Sequence, residues 1–262
     1  MGKDESGFTL VETIVTLGVV GILMVSIYSL YISQIRTFTV QEQITDMQQN
    51  GRVAMNIVSR DIRMAGFGQP SWTTINGTSG IHYTGIQVTD GGTGEPDSFE
   101  IIGCIDPPTG TLSNGASQGA TTITLHSQEV KRFNTTTKRD IFIGERENVK
   151  VISISGSVLT IDTDPTQSGN QGLANGYPAN TNVYLVKRVR YSIHDNSLRC
   201  NENMGSGAQE IAMNVEDLQV TFIKPIVNIS MTVRTEKKDR DWSGDGYHRI
   251  TLDCHVIARN LK

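Results

Sequence analysis

The sequence predicts an α+β fold: a long N-terminal helix, transmembrane in its first half, packed by an antiparallel β-sheet head with an inserted small β-subdomain. Three observations predict it. From Phe8 to Ser33 the chain is apolar and carries a single charge, Glu12. A helical repeat of apolar residues then continues to about Ala65. Beyond Pro70 the apolar period falls to two, and Gly, Ser, Thr and Asn become frequent, as in strands joined by many turns.

The apolar run comes first. At 1.5 Å per residue, Phe8–Ser33 makes about 39 Å of helix, enough to cross a hydrocarbon core of about 30 Å. A secretory signal peptide is a poor description of it. Such peptides have an apolar stretch of roughly 7–15 residues and a small-x-small cleavage site, whereas the first alanine of this chain is Ala54. An ordinary single-pass anchor explains the length but leaves Glu12 unexplained. An ionised acid at mid-bilayer costs about 2.5–3.5 kcal/mol on insertion scales, less near the interface. No Lys or Arg occurs between Lys3 and Arg36, so no side-chain cation stands at that depth. A free α-amino group would serve, if the chain began nearby.

The stretch "GFTLVE" (Gly7–Glu12) resembles the cleavage site of type IV prepilins: a short polar leader, a glycine, an aromatic residue, and a glutamate four residues past that aromatic. In that family a membrane-embedded aspartyl peptidase cuts after the glycine and methylates the new N-terminus. The resemblance therefore implies a leader at residues 1–7, a cut between Gly7 and Phe8, and N-methylation of Phe8. It also implies that Glu12 pairs with the N-terminal amine of a neighbouring subunit during filament assembly. Pairing of Glu12 with its own chain's amine, one helical turn back, is the alternative. Two features depart from the family pattern. The leader holds Asp4 and Glu5 beside Lys3, so the positive-inside signal is weak. No proline precedes Pro70, so local melting of the span would rest on Gly18 and Gly21.

The helix continues beyond Ser33. Val40, Ile44, Met47, Gly51, Ala54, Met55, Val58, Ile62 and Ala65 share one face, while Glu42, Asp46, Gln49, Asn56, Arg60 and Arg63 lie opposite. The helix thus spans residues 8–66, with 8–33 in the membrane. Gly66, Gly68 and Pro70 end it. The stripe reads as packing against a head; Val53 and Ile57 sit off it and are free to meet a neighbouring subunit.

Residues 67–262 form the head. "LQVTFI" (Leu218–Ile223), "VNISMTVR" (Val227–Arg234) and "RITLDCHVIA" (Arg249–Ala258) alternate as half-buried antiparallel strands, the last two as a hairpin around a charged loop, Glu236–Tyr247. "VRYSIHDNSLRC" (Val189–Cys200) reads as a second hairpin turning at Asp195-Asn196. Residues 98–186 hold short strands with frequent turns and read as the inserted subdomain. Gln69–Gly94 and Asp164–Asn182 read as loops. The tail, "VRYSI…LRC", then "NVEDLQVTF", a strand ending in "VRT", and "HVIARNL", is similar to the end of PilW-type minor pilins. With the N-terminus, the resemblance covers the helix and about the last 75 residues.

The net charge of −4 is near balance and argues against nucleic acid as a main partner. The five histidines are scattered, and neither a nucleophile motif nor a P-loop occurs, so no enzymatic role and no cofactor are expected. In "DRDWSGDG" the oxygen donors Asp239, Asp241, Ser243 and Asp245 alternate like the front half of a calcium loop. Ile250, however, stands where a bidentate acid is needed, and Lys237, Lys238 and Arg240 would repel a cation, so a solvated loop is the expectation and no metal is assigned. Three cysteines allow at most one disulfide. Cys254 faces inward on its strand; Cys104 and Cys200 stand at strand ends and are left as the candidate pair.

The resemblance implies a minor pilin of a bacterial type IV pilus. It would be stored in the inner membrane with its head in the periplasm, then enter the extracellular pilus. Its partners would be other minor pilins, the major pilin and the prepilin peptidase, with a tip adhesin as a further candidate. It would prime assembly, and a large head with an insertion suits the tip better than the shaft. Two other readings stand beside this one: a J-type pseudopilin of a type II secretion system, and a membrane-tethered adhesin head that binds a surface or glycan by itself.

Overall fold

The computed structural model describes residues 9–71 and 85–261. It shows one long N-terminal apolar helix followed by antiparallel β-sheets, the α+β architecture that the sequence predicts. The chain divides into two compact units. One is the helix up to Asp46 together with Thr235–His248, and the other is Met47–Arg234 with Arg249–Lys262.

Helix α1 runs over Leu10–Met64 without a break. Its expected first residue, Phe8, lies outside the described residues. In the second unit its buried face is Met47, Gly51, Ala54, Met55, Val58, Ser59, Asp61 and Ile62. The apolar stripe therefore forms as the periodicity predicts, while Ser59 and Asp61 join it unannounced. The helix stops where Gly66 takes φ of +82°, a left-handed turn open to a residue without Cβ. The Gly66 N–H then donates to the Ile102 carbonyl at 2.8 Å, tying the helix end to the head.

Among the described residues the head has three sheets. The first orders β1 (Ile86–Thr89), β2 (Ser98–Gly103), β9 (Lys187–His194), β10 (Ser197–Asn201) and β11 (Ala208–Met213) as β1-β2-β9-β10-β11. The second is the meander β12 (Val215–Ile223), β13 (Ile226–Arg234) and β14 (Arg249–Ile257). The third takes the short strands between: β3 (Gly110–Thr111), β4 (Thr122–Thr124), β5 (Asp140–Ile143), β6 (Glu147–Ser155), β7 (Val158–Asp162) and β8 (Asn182–Leu185), in the order β3-β8-β5-β6-β7-β4.

Two expectations change here. Ser98–Gly103, read as the start of the inserted subdomain, instead pairs between β1 and β9 in the first sheet. The six-stranded sheet is built wholly from residues between Gly110 and Leu185. Ile86–Thr89, inside a stretch read as loop, is a strand; Ile86 is buried against the sheet. Apolar density over Gln69–Gly94 is too low to announce a four-residue strand that owes its order to pairing with β2. The turn of the β9–β10 hairpin is as predicted: Asp195 and Asn196 both have positive φ, 52° and 55°, the backbone that a two-residue hairpin turn requires.

Glu147 shows how a buried carboxylate of the head is satisfied. The Glu147 carboxylate accepts the Ala174 N–H at 2.6 Å and the Tyr177 hydroxyl at 3.0 Å, anchoring the loop after β7. Burial and that hydrogen bond push the Tyr177 hydroxyl up to about 12. Across β5, β6 and β7, Asp140, Lys150 and Asp162 stand opposite one another and are all buried. Burial lowers the affinity of Lys150 for its proton, and Asp140 opposes that shift.

Candidate functional site

The N-terminal span is the candidate site. Over Leu10–Ser33 the helix of the first unit buries almost nothing. Leu10 is 77 % exposed, Ile22 71 % and Val25 71 %. A surface so apolar suits lipid rather than water, and the helix is long and apolar enough to cross a membrane. Within it the hydroxyls of Thr13, Thr16 and Ser26 are closed off against the backbone. Thr16 Oγ1 donates to the Glu12 carbonyl at 2.7 Å, and Ser26 Oγ to the Ile22 carbonyl at 3.0 Å. Such bonds remove the cost of carrying a hydroxyl in hydrocarbon.

Glu12 has no such closure. It sits in the first turn of α1, and among the described residues its carboxylate has no ion-pair partner. Its backbone N–H is held: Thr9 Oγ1 accepts it at 3.3 Å. Thr9 is thus the N-cap and Glu12 the third helical residue, the T-x-x-E spacing of a capping box. The carboxylate also stands at the positive end of the helix dipole, which favours a negative charge there. Thr9 was missed as a functional residue, although the threonine three positions before the glutamate was visible. Gly7 and Phe8, the expected cleavage and methylation positions, lie outside the described residues.

The loop Thr235–His248 belongs to the same unit as the span. Its Lys237 N–H donates to Gln43 Oε1 of α1 at 3.3 Å. The expected oxygen donors do not converge. Asp239 Oδ2 meets His248 Nε2 at 2.9 Å, and Asp239 Oδ1 accepts the Asp241 N–H at 3.0 Å. The His248 hydrogen bond holds the Asp239 carboxyl below its usual range. Asp245 Oδ1 accepts the Tyr247 N–H at 3.2 Å. Ser243 is exposed. Among the described residues no group of three or more His, Cys, Asp or Glu side chains could hold a metal ion. The exposed Trp242 packs against His248 at a tilt of 38°, with ring centroids 4.0 Å apart.

The Cys104–Cys200 disulfide is a correction: all three cysteines are free thiols. Cys104 is buried among Ile102, Phe142, Tyr184 and Val186, with Phe67 packed alongside. Cys200 lies opposite Tyr191 on β9. The two side chains serve different clusters, which strand-end position alone could not reveal. Burial pushes both thiols up, Cys200 to about 11, so neither has the thiolate character of a reactive cysteine.

Comparison with known families bears on the span. Residues 2–28 match the Prokaryotic N-terminal methylation motif. No curated protein and no solved structure matches the chain. The chain carries the N-terminal signal of type IV pilin-like proteins, and the motif supports a pilin-like or pseudopilin subunit. The bare apolar helix that the motif enters fits a single-pass, membrane-anchored protein.

Proposed function

We propose that this chain is a minor pilin of the PilW type, a structural subunit that primes assembly of a type IV pilus and suits its tip. One observation carries the reading: Glu12 stands in the first turn of a bare, lipid-length helix and inside a methylation motif that spans residues 2–28. Cleavage after Gly7 would place an α-amine on Phe8, one helical turn from Glu12, at a depth where no Lys or Arg is available. Opposite charges about 4 Å apart attract by roughly 4 kcal/mol at an effective dielectric near 20. A misplaced subunit would leave both charges unpaired at a cost of several kcal/mol. Glu12 thus works as a register device, accepting the docking that brings a neighbour's amine. Thr9 supports it by fixing the first turn from which the carboxylate projects.

In this reading the protein catalyses nothing and needs no cofactor; it is the substrate of the prepilin peptidase. Its head waits in the periplasm until other pilins draw it into the filament. The experiment is direct. Protein taken from native membranes should begin with methylated Phe8. Gly7→Leu should leave an uncut precursor. Glu12→Leu should be cut normally and be lost from sheared filaments at least tenfold. Mature protein that keeps Met1, or wild-type incorporation of Glu12→Leu, overturns the reading.

A further inference from the structure

Among the described residues each sheet of the head has two edges, and five of the six are short, bulged or covered. β1 has four residues, β3 two and β4 three. The pairing of β11 with β10 is broken by a register shift. The long edge of β12 is bulged between Val215 and Asp217 and covered by the segment before β2: Asp97 N–H donates to the Leu218 carbonyl at 2.7 Å, and the Val220 N–H donates to Asp97 Oδ2 at 2.8 Å. These are the usual guards against unwanted strand pairing. The exception is β14. It runs nine residues in unbroken register with β13, has no proline, and pairs with no other strand among the described residues.

The backbone groups left open on it can be named. Ala258 N–H donates to the Pro225 carbonyl at 2.9 Å, continuing the β13–β14 ladder. Because antiparallel pairs alternate, Val256, Cys254, Leu252 and Ile250 direct their N–H and C=O groups to β13. Those of Ile257, His255, Asp253, Thr251 and Arg249 point to the open side, and the side chains of these five residues are exposed. Ile257 ends a row with Ile226 and Ile223, aligned across the three strands and 59 %, 43 % and 66 % exposed. Asp253 carries no ion pair among the described residues, whereas Arg249 is already held by Glu216.

We propose that the β14 edge takes an extended strand from a different pilin-like subunit, an inference that rests on the assembly role above. An open antiparallel edge is matched by another strand. The side chains fix the rest: a Lys or Arg opposite Asp253 and, four residues away, an apolar side chain that prolongs the isoleucine row. A second copy of this chain is a poorer occupant. Pairing over the full length of β14 would set Asp253 against Asp253.

The test uses full-length protein in its native host. Asp253→Pro removes an outward N–H and no β13 hydrogen bond, so the head should melt like wild type. That variant should fall at least tenfold in sheared filaments, while Asp253→Ala, which keeps the N–H, should lose far less. Amide exchange at Thr251, Asp253 and His255 should slow at least tenfold in wild-type filaments relative to the detergent-solubilised chain, and this readout decides the matter if the proline variant does not fold. Normal incorporation of Asp253→Pro, equal exchange in both states, or protection of these amides in a dimer of the isolated chain overturns the proposal. Glu12→Leu run in parallel separates the two readings. If it is excluded while Asp253→Pro enters, strand addition alone fails; if both enter, the assembly role fails as well.

Discussion

Tyr191→Phe tests how the helix is held within the second unit. Tyr191 is fully buried, stacked on Phe99 at 5.0 Å between centroids, and its hydroxyl donates to Asp61 Oδ2 at 2.5 Å. Asp61 is 5 % exposed, and its other oxygen meets the guanidinium of Arg60 at 2.9 Å. The substitution keeps the stacked ring and removes one charge-assisted hydrogen bond, leaving a buried carboxylate oxygen unpaired. Such a loss costs about 1.5–3 kcal/mol. For a unit of roughly 200 residues, each kcal/mol moves Tm by about 2–4 °C, so the variant should melt about 3–12 °C lower. Asp61→Asn keeps an acceptor for the hydroxyl and should lose less than Asp61→Ala. Thermal melting of the full chain in detergent, followed by far-ultraviolet circular dichroism, reads the shift. A double-mutant cycle of Tyr191→Phe and Asp61→Ala should show a coupling above about 1 kcal/mol. A Tyr191→Phe variant that melts within 1 °C of wild type would refute the reasoning, because the hydroxyl would then contribute nothing beyond its desolvation.

Three further outcomes are expected. Glu216 accepts from both Arg234 at 2.9 Å and Arg249 at 2.5 Å, and the Arg249 hydrogen bond is the first cause holding its carboxyl below the ordinary 4.5. Its contribution is present above pH 4.5 and lost as pH falls through the lower folded value, so Glu216→Gln should flatten the acid limb of a Tm-versus-pH curve. Gly51 faces the second sheet, where a Cβ would lie 2.7 Å from Leu252 Cδ1 and 3.2 Å from Val233 Cγ2. Gly51→Ala should stay within about 1 kcal/mol of wild type, since helix propensity offsets the crowding, whereas Gly51→Leu should lose about 1–3 kcal/mol by overpacking in chemical denaturation. Peptide mapping of unreduced protein should find Cys104, Cys200 and Cys254 unlinked.

How far the chain could be read without its fold depends on where each signal lies. The helix was legible because a 3.6-residue repeat is a local property that survives averaging over many turns. The β9–β10 hairpin was legible because Asp195-Asn196 suits two left-handed residues in succession. The strand β1 was not legible, nor was the partner sheet of β2, because a short strand is defined by what it pairs with. Asp61 and Ser59 are ordinary polar residues for a helix, and nothing local marks Asp61 as the buried partner of a tyrosine 130 residues away. The cysteines misled for the same reason: both lie at strand ends, but only packing shows that Cys104 belongs to the Phe67, Phe142 and Tyr184 cluster.

The sequence by itself determined the membrane-length helix, the isolated Glu12 and the motif around it, because hydropathy, charge and cleavage chemistry act along the chain over a few residues. The tertiary structure alone decided which acids are buried and paired, which cysteines stay free, and which sheet edge is left open among the described residues. Those properties belong to surfaces built from distant segments, and no one segment contains the information about what will cover it.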